Sequence, residues 1–200
     1  IVADQSTIES DALQTGNHEN NCEGDGTFCR NFDFNDAFIE ASGDSDIDIK
    51  SRQGIESSNE CTDDASCLNN GDTDNLIRIF ASDSDIDSDA EQDLIRENNC
   101  DGAGTSCQND GGNILNIFTL ADSDVDSISH QTVETRNNCE GGVDCFIGAA
   151  EGTINEIRIF ADGGSEVDSN IHQVAYGQNN CDPGATCDLQ LDNTVEITAS

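Results

Sequence analysis

Short strips in which aliphatic and polar side chains alternate recur along this chain. They read Asn75-Leu-Ile77-Arg-Ile79-Phe-Ala81, Asn155-Glu-Ile157-Arg-Ile159-Phe-Ala161 and Thr194-Val195-Glu-Ile197-Thr-Ala199. A period of two in β-branched residues predicts strands with one buried face. A second element sets one aliphatic residue between two acids, at Asp46-Ile47-Asp48, Asp85-Ile86-Asp87 and Asp124-Val125-Asp126, with an echo at Glu166-Val167-Asp168. It predicts a short strand with one inward side chain. A weaker third element carries Ile55, Ile95, Val133 and Val174. No stretch sustains an i, i+3, i+4 pattern with caps, so little helix is expected.

These elements return in fixed order, each time followed by an Asn-rich lead-in and a pair of Cys. The pairs are Cys22/Cys29, Cys61/Cys67, Cys100/Cys107, Cys139/Cys145 and Cys181/Cys187. Their first members fall at 22, 61, 100, 139 and 181, a period of 39 residues with one step of 42. Starting each unit at a small residue, Ala3, Ala41, Ala81, Ala121 or Ala161, gives a single five-repeat array over residues 1–200. The units are 3–40, 41–80, 81–120, 121–160 and 161–200. None can bury its few apolar residues alone, whereas stacking would set Ile on Ile in a continuous column. The expected fold is all-β, a right-handed β-solenoid-like stack with one Cys pair per repeat and ladders of Asn amides. Such a unit is long for one coil, so an arm carrying the Cys pair is expected to project. A β-sandwich built from the same strands is the alternative.

Composition narrows the function. Apolar residues make up 34% of the chain, a thin supply for a conventional core, and the formal net charge is −35 from 42 acidic and 7 basic residues. Phosphate recognition needs clustered Lys and Arg, so nucleic acid is not a partner. An anionic membrane surface is disfavoured for the same reason. No apolar run reaches the roughly 20 residues of a bilayer span, so membrane insertion is not expected. The chain starts at Ile1 and holds no Met, which reads as a processed end. With ten Cys, that reading is of a secreted protein, extracellular or at the cell surface.

Three pairings of the Cys are open: each pair closes its own loop, equivalent Cys bridge along columns, or a staggered scheme leaves Cys22 and Cys187 to join subunits. Metal thiolate sites would need spacings such as CxxC, which are absent. No CxxCH occurs, so c-type haem is excluded. His18, His130 and His172 read as surface or turn residues. Calcium is the one cofactor the pattern raises. Asp83, Asp85 and Asp87, and Asp122, Asp124 and Asp126, offer oxygen-rich loops, making divalent cations candidate partners. The EF-hand Gly and terminal Glu are missing, however, and so is the RTX Gly-Gly-x-Gly-x-Asp motif. The competing reading is a solvated strand edge whose charges oppose aggregation.

The first residues, Ile1-Val2-Ala3-Asp4, match the last, Ile197-Thr198-Ala199-Ser200, in repeat register. The array is expected to lack caps and to contact a further copy of itself through Ile1, Val2, Ala3, Val195, Ile197 and Ala199. On its Asn-Asn-Cys and Asp-Ser-Asp-(Ile/Val)-Asp phrases, the chain resembles secreted, disulfide-rich Asn/Cys β-repeat proteins of prokaryotic extracellular fibres and surface layers, including those of archaeal secretomes. That resemblance implies a non-enzymatic structural subunit of an extracellular filament or pilus-like fibre, a homopolymer assembling head to tail. It carries over no catalytic residue. The alternative is a calcium-dependent secreted adhesin or ligand-binding repeat module. An enzyme on a β-helix is disfavoured, because catalysis needs one special constellation and these acids recur in every unit. No Asn-x-Ser/Thr sequon occurs, while Asn-x-Cys is met five times.

Overall fold

The computed structural model describes residues 1–5, 7–24, 27–32, 34–62, 65–69, 75–102, 106–140, 144–147, 153–181 and 186–199. Its strands are β1 (Val2–Asp4), β2 (Thr7–Glu23), β3 (Phe28–Asn31), β4 (Asn35–Thr62), β5 (Ser66–Asn69), β6 (Asn75–Asp101) and β7 (Ser106–Asn109). They are followed by β8 (Gly112–Leu120), β9 (Asp124–Glu140), β10 (Asp144–Ile147), β11 (Thr153–Ala161), β12 (Glu166–Cys181), β13 (Thr186–Leu189) and β14 (Leu191–Ala199). Every pairing among them is parallel and joins one repeat to the next. The fold is a parallel β-solenoid, and the β-sandwich falls because a sandwich needs antiparallel neighbours. The three short strands expected per unit largely fuse, since β4 and β6 each run through strip, acidic element and third element.

Each coil is flattened. The strip lies on one side and the acidic element faces it across the main core. Ile39, Ile79, Ile117, Ile159 and Ile197 share one register column, and Ile8, Ile47, Ile86, Val125 and Val167 share the facing one. The inner members of both columns are buried. Each such Ile contributes about 1.5–3 kcal/mol. Ala3, Ala41, Ala81, Ala161 and Ala199 also share a register, but Thr119 holds that place in the fourth coil. Ala121 lies two residues further on, in the corner, at φ +53°.

That corner joins strip to acidic element and is held by serine. The hydroxyls of Ser45, Ser84, Ser123 and Ser165 donate to the carbonyls of Ser42, Ser82, Leu120 and Asp162, at 2.7–3.0 Å. The amides of Ser84 and Ser123 donate in turn to the hydroxyls of Ser123 and Ser165. In the fifth coil the corner passes so near its neighbour that a Cβ on Gly163 (φ +76°) would sit 2.9 Å from the Ala121 amide nitrogen. Only glycine fits there.

Inside the coil, polar ladders separate apolar layers. Gln53 donates to Gln14, Gln92 to Gln53, Gln131 to Gln92 and Gln173 to Gln131, at 2.7–3.0 Å. Asn35, Asn75, Asn113, Asn155 and Asn193 form a parallel ladder on the opposite side. Both also tie to backbone carbonyls across the coil, as Gln92 does to Asn75 and Ile114. Beyond this partition lies a small layer of Ile55, Leu94 and Val133. The third element is thus corrected in register: Leu94 and Ala175 take the inward places, and Ile95 and Val174 face solvent.

Candidate functional site: carboxylate rows, sulfur column and open coil edges

The disulfides are local, Cys22–Cys29, Cys61–Cys67, Cys100–Cys107, Cys139–Cys145 and Cys181–Cys187. The column-wise and staggered schemes are therefore overturned. So is the projecting arm. Each pair ties the end of a long strand to a short strand of a second parallel sheet, ordered β13-β10-β7-β5-β3. Equivalent Cys lie on neighbouring rungs, and the middle pairs are buried as one sulfur column. Sulfurs of adjacent bridges approach so closely that Cys61, Cys67 and Cys100 fall within 4.8 Å of one another.

The Asn of every Asn-x-Cys phrase faces inward beside that column. Asn59, Asn98 and Asn137 are fully buried and meet Asn69 and Asn109 of the facing short strands. They form a second amide ladder, so these Asn hold the coil together and are sealed off from any modifying enzyme.

The six Asp proposed as metal ligands are all exposed, on the outer side of the acidic element. Asp85, Asp87, Asp124 and Asp126 line a shallow groove of about 330 Å³ together with Asp46 and Asp168. Asp83, Asp85 and Asp122 line an adjoining hollow of about 310 Å³ at the serine corner. Parallel in-register stacking makes rows: Glu9, Asp48, Asp87, Asp126 and Asp168 occupy one column. Among the described residues, the only sets of three ligating atoms within 4.8 Å of one another are disulfide sulfurs. The carboxylates are spread in rows along the coil axis and do not converge into a cage.

Rows of like charge at rung spacing oppose the stack. The consequence is visible at Asp87, whose pKa is raised above the usual Asp value by partial burial between rungs and then by Asp48 and Asp126, with Lys50 opposing. A folded-state pKa above the unfolded one means that ionisation of Asp87 costs stability, and this cost fades as pH falls through the folded pKa. Asp87→Asn is expected to raise the melting temperature at neutral pH. The gap to the parent protein closes as pH falls toward the ordinary Asp value of 3.8. Circular-dichroism melts across that range check it, and a gap that ignores pH would rule the electrostatic account out.

In the first and last coils, four residues assigned to a self-interface, Ile1, Val2, Val195 and Ile197, are exposed. Ile197 is 52% exposed although its equivalent Ile159 is 2% exposed, and Val195, Ile1 and Val2 are likewise open. The backbones of Ala3 and Ala199 pair with Ala41 and Ala161. The side chains of those two alanines, and Ser200, lie outside the described residues. The Ile1 backbone nitrogen donates to the Phe38 carbonyl at 2.7 Å.

One surface feature escaped the sequence reading. Phe38, Phe80 and Phe118 stack along the outer face of the strip, with centroids 5.6 and 5.0 Å apart. The signal was present in the Phe that follows the last Ile of the strip at Phe80 and Phe118, and in Phe38, which precedes Ile39. No helix among the described residues is long and apolar enough to cross a membrane. Five disulfides are the chemistry of an oxidising compartment. Comparison with protein-family models, with curated proteins and with solved structures finds no match to this chain.

Proposed function

We propose that this protein is a secreted, non-enzymatic structural subunit that extends end to end into an extracellular filament. One observation carries the reading: every coil meets the next through the same contact. The Ile columns, the Gln ladder, both Asn ladders and the sulfur column run in one register from the first coil to the last. A fold whose internal contact is already a repeating one adds a further copy by using that contact again, a heterologous association that need not close. Val195 and Ile197 continue, with aliphatic side chains, the columns in which Ile157 and Ile159 are buried.

The carboxylate rows support a second reading, a calcium-dependent adhesin or ligand-binding module that works as a monomer. One experiment separates them. Sedimentation and negative-stain microscopy of the protein, at high salt with and without calcium, are expected to show linear particles one coil wide, with Ile197→Asp shortening them. Monodisperse short particles in every condition sink the filament. If calcium also raises their melting temperature, the module reading takes its place.

A further inference from the structure

We propose a transition-metal site at His130 and His172, selective for borderline cations such as Zn²⁺ or Cu²⁺ over calcium. The two residues are register partners on β9 and β12, so they project side by side from adjacent rungs of one outer face. Both are exposed, and their ring centroids lie 5.6 Å apart at an interplanar angle of 40°. With metal–nitrogen bonds of about 2.0–2.1 Å, two imidazoles on one ion keep their centroids roughly 5–6 Å apart. The rings therefore already stand at chelating separation.

The backbone beneath them is fixed. β9 and β12 pair without a shift from Asp124/Glu166 to Cys139/Cys181. The residues next in sequence, Gln131 and Gln173, face inward and are joined at 2.8 Å. Only side-chain rotation remains to be ordered on binding, which keeps the entropic cost low. On the next rung the same column holds Glu91, which is paired with Arg52 at 3.0 Å and, among the described residues, forms no three-ligand set with the two rings. A formal charge of −35 draws cations to the chain as a whole. Imidazole then decides which cation stays: neutral ring nitrogens suit Zn²⁺ and Cu²⁺, while calcium takes oxygen donors.

The test is calorimetric titration with Zn²⁺ alone, in excess calcium so that the hard ion outcompetes zinc at the exposed carboxylates. One zinc per chain is expected, held by a ring nitrogen of each residue. His130→Ala and His172→Ala should each weaken binding about tenfold or more. His18→Ala, in the first coil, should leave it unchanged. In the unsubstituted protein, zinc should shift the imidazole NMR signals of His130 and His172 and spare those of His18. No zinc binding in calcium, binding that survives both substitutions, or signals that do not move would each overturn the site.

Discussion

Full reduction of the five disulfides is expected to unfold this protein at room temperature. Each bridge closes a loop with a sequence separation of six or seven. Chain entropy for loops of that size gives roughly 2–2.5 kcal/mol per bridge. The five loops are separate in sequence, so their constraints on the unfolded chain add, to roughly 10–12 kcal/mol. A typical domain has only about 5–15 kcal/mol in total. This one has a narrow aliphatic core, so the bridges carry most of the margin. Excess reductant should collapse the strand signal in circular dichroism and lift the protein's susceptibility to protease. A fully reduced protein with an unchanged spectrum would mean that the ladders alone hold the coil.

The order of reduction tests the stacking as well. Cys181 and Cys187 are exposed, Cys22 is half-buried, and Cys61, Cys67, Cys107 and Cys145 are sealed. Timed alkylation of released thiols should therefore label the outer coils before the middle ones. Once an outer coil opens, the next sulfur pair becomes an edge, so loss is expected to run inward from both ends.

The elements that were legible in the sequence were those whose signal is parity. Ile47, Ile86 and Val125 between acids, and Ile77 and Ile79 in the strip, could face only one way, and they line the main core. The third element was misassigned where two aliphatics sit side by side. Leu94 and Ile95 are equally apolar, and only distance from Gln92 separates them: Ile55 and Val133 follow Gln53 and Gln131 by two residues, as Leu94 follows Gln92. The Asp-Ser-Asp phrases were read as acid, yet their Ser is the buried, corner-forming member and their Asp are solvated. The Cys pairs were expected on a projecting arm because a unit of 39 residues is long for one coil. In the fold, amide ladders surround them where a hydrocarbon layer would be expected. Hydrophobic patterning cannot announce a core layer built of Asn and sulfur. The carboxylate rows and the His pair depend on which rungs are neighbours, so they became visible only with the register.

Asn98→Asp is the substitution expected to cost most in that amide layer. Asn98 is fully buried. Its Nδ2 donates to the Gln108 carbonyl, Asn109 Oδ1 and Asn137 Oδ1, and its Oδ1 accepts from Asn59 and Asn69. An Asp there keeps the two acceptor contacts but loses every donor. Its carboxylate then faces three oxygens in a site closed to water. Either it ionises against them, or it takes up a proton to do without charge, and both outcomes cost free energy. Asn98→Ala removes the same contacts without adding a charge, and each neighbour keeps another partner, as Asn69 does in Asn109 and Asn59 in Asn69. About 2–4 kcal/mol is the expected loss for alanine, and more than that for aspartate at neutral pH. Asn99, one residue on and half-buried, accepts from Asn138 alone among the described residues. Its alanine variant should lose about 1 kcal/mol or less. Urea titrations with the disulfides intact measure all three. The order Asp, then Ala at position 98, then Ala at position 99 is the signature of a ladder that carries load through its inward amides. Equal losses at 98 and 99 would mean that the Asn of the Asn-x-Cys phrase is there for the turn and not for the core.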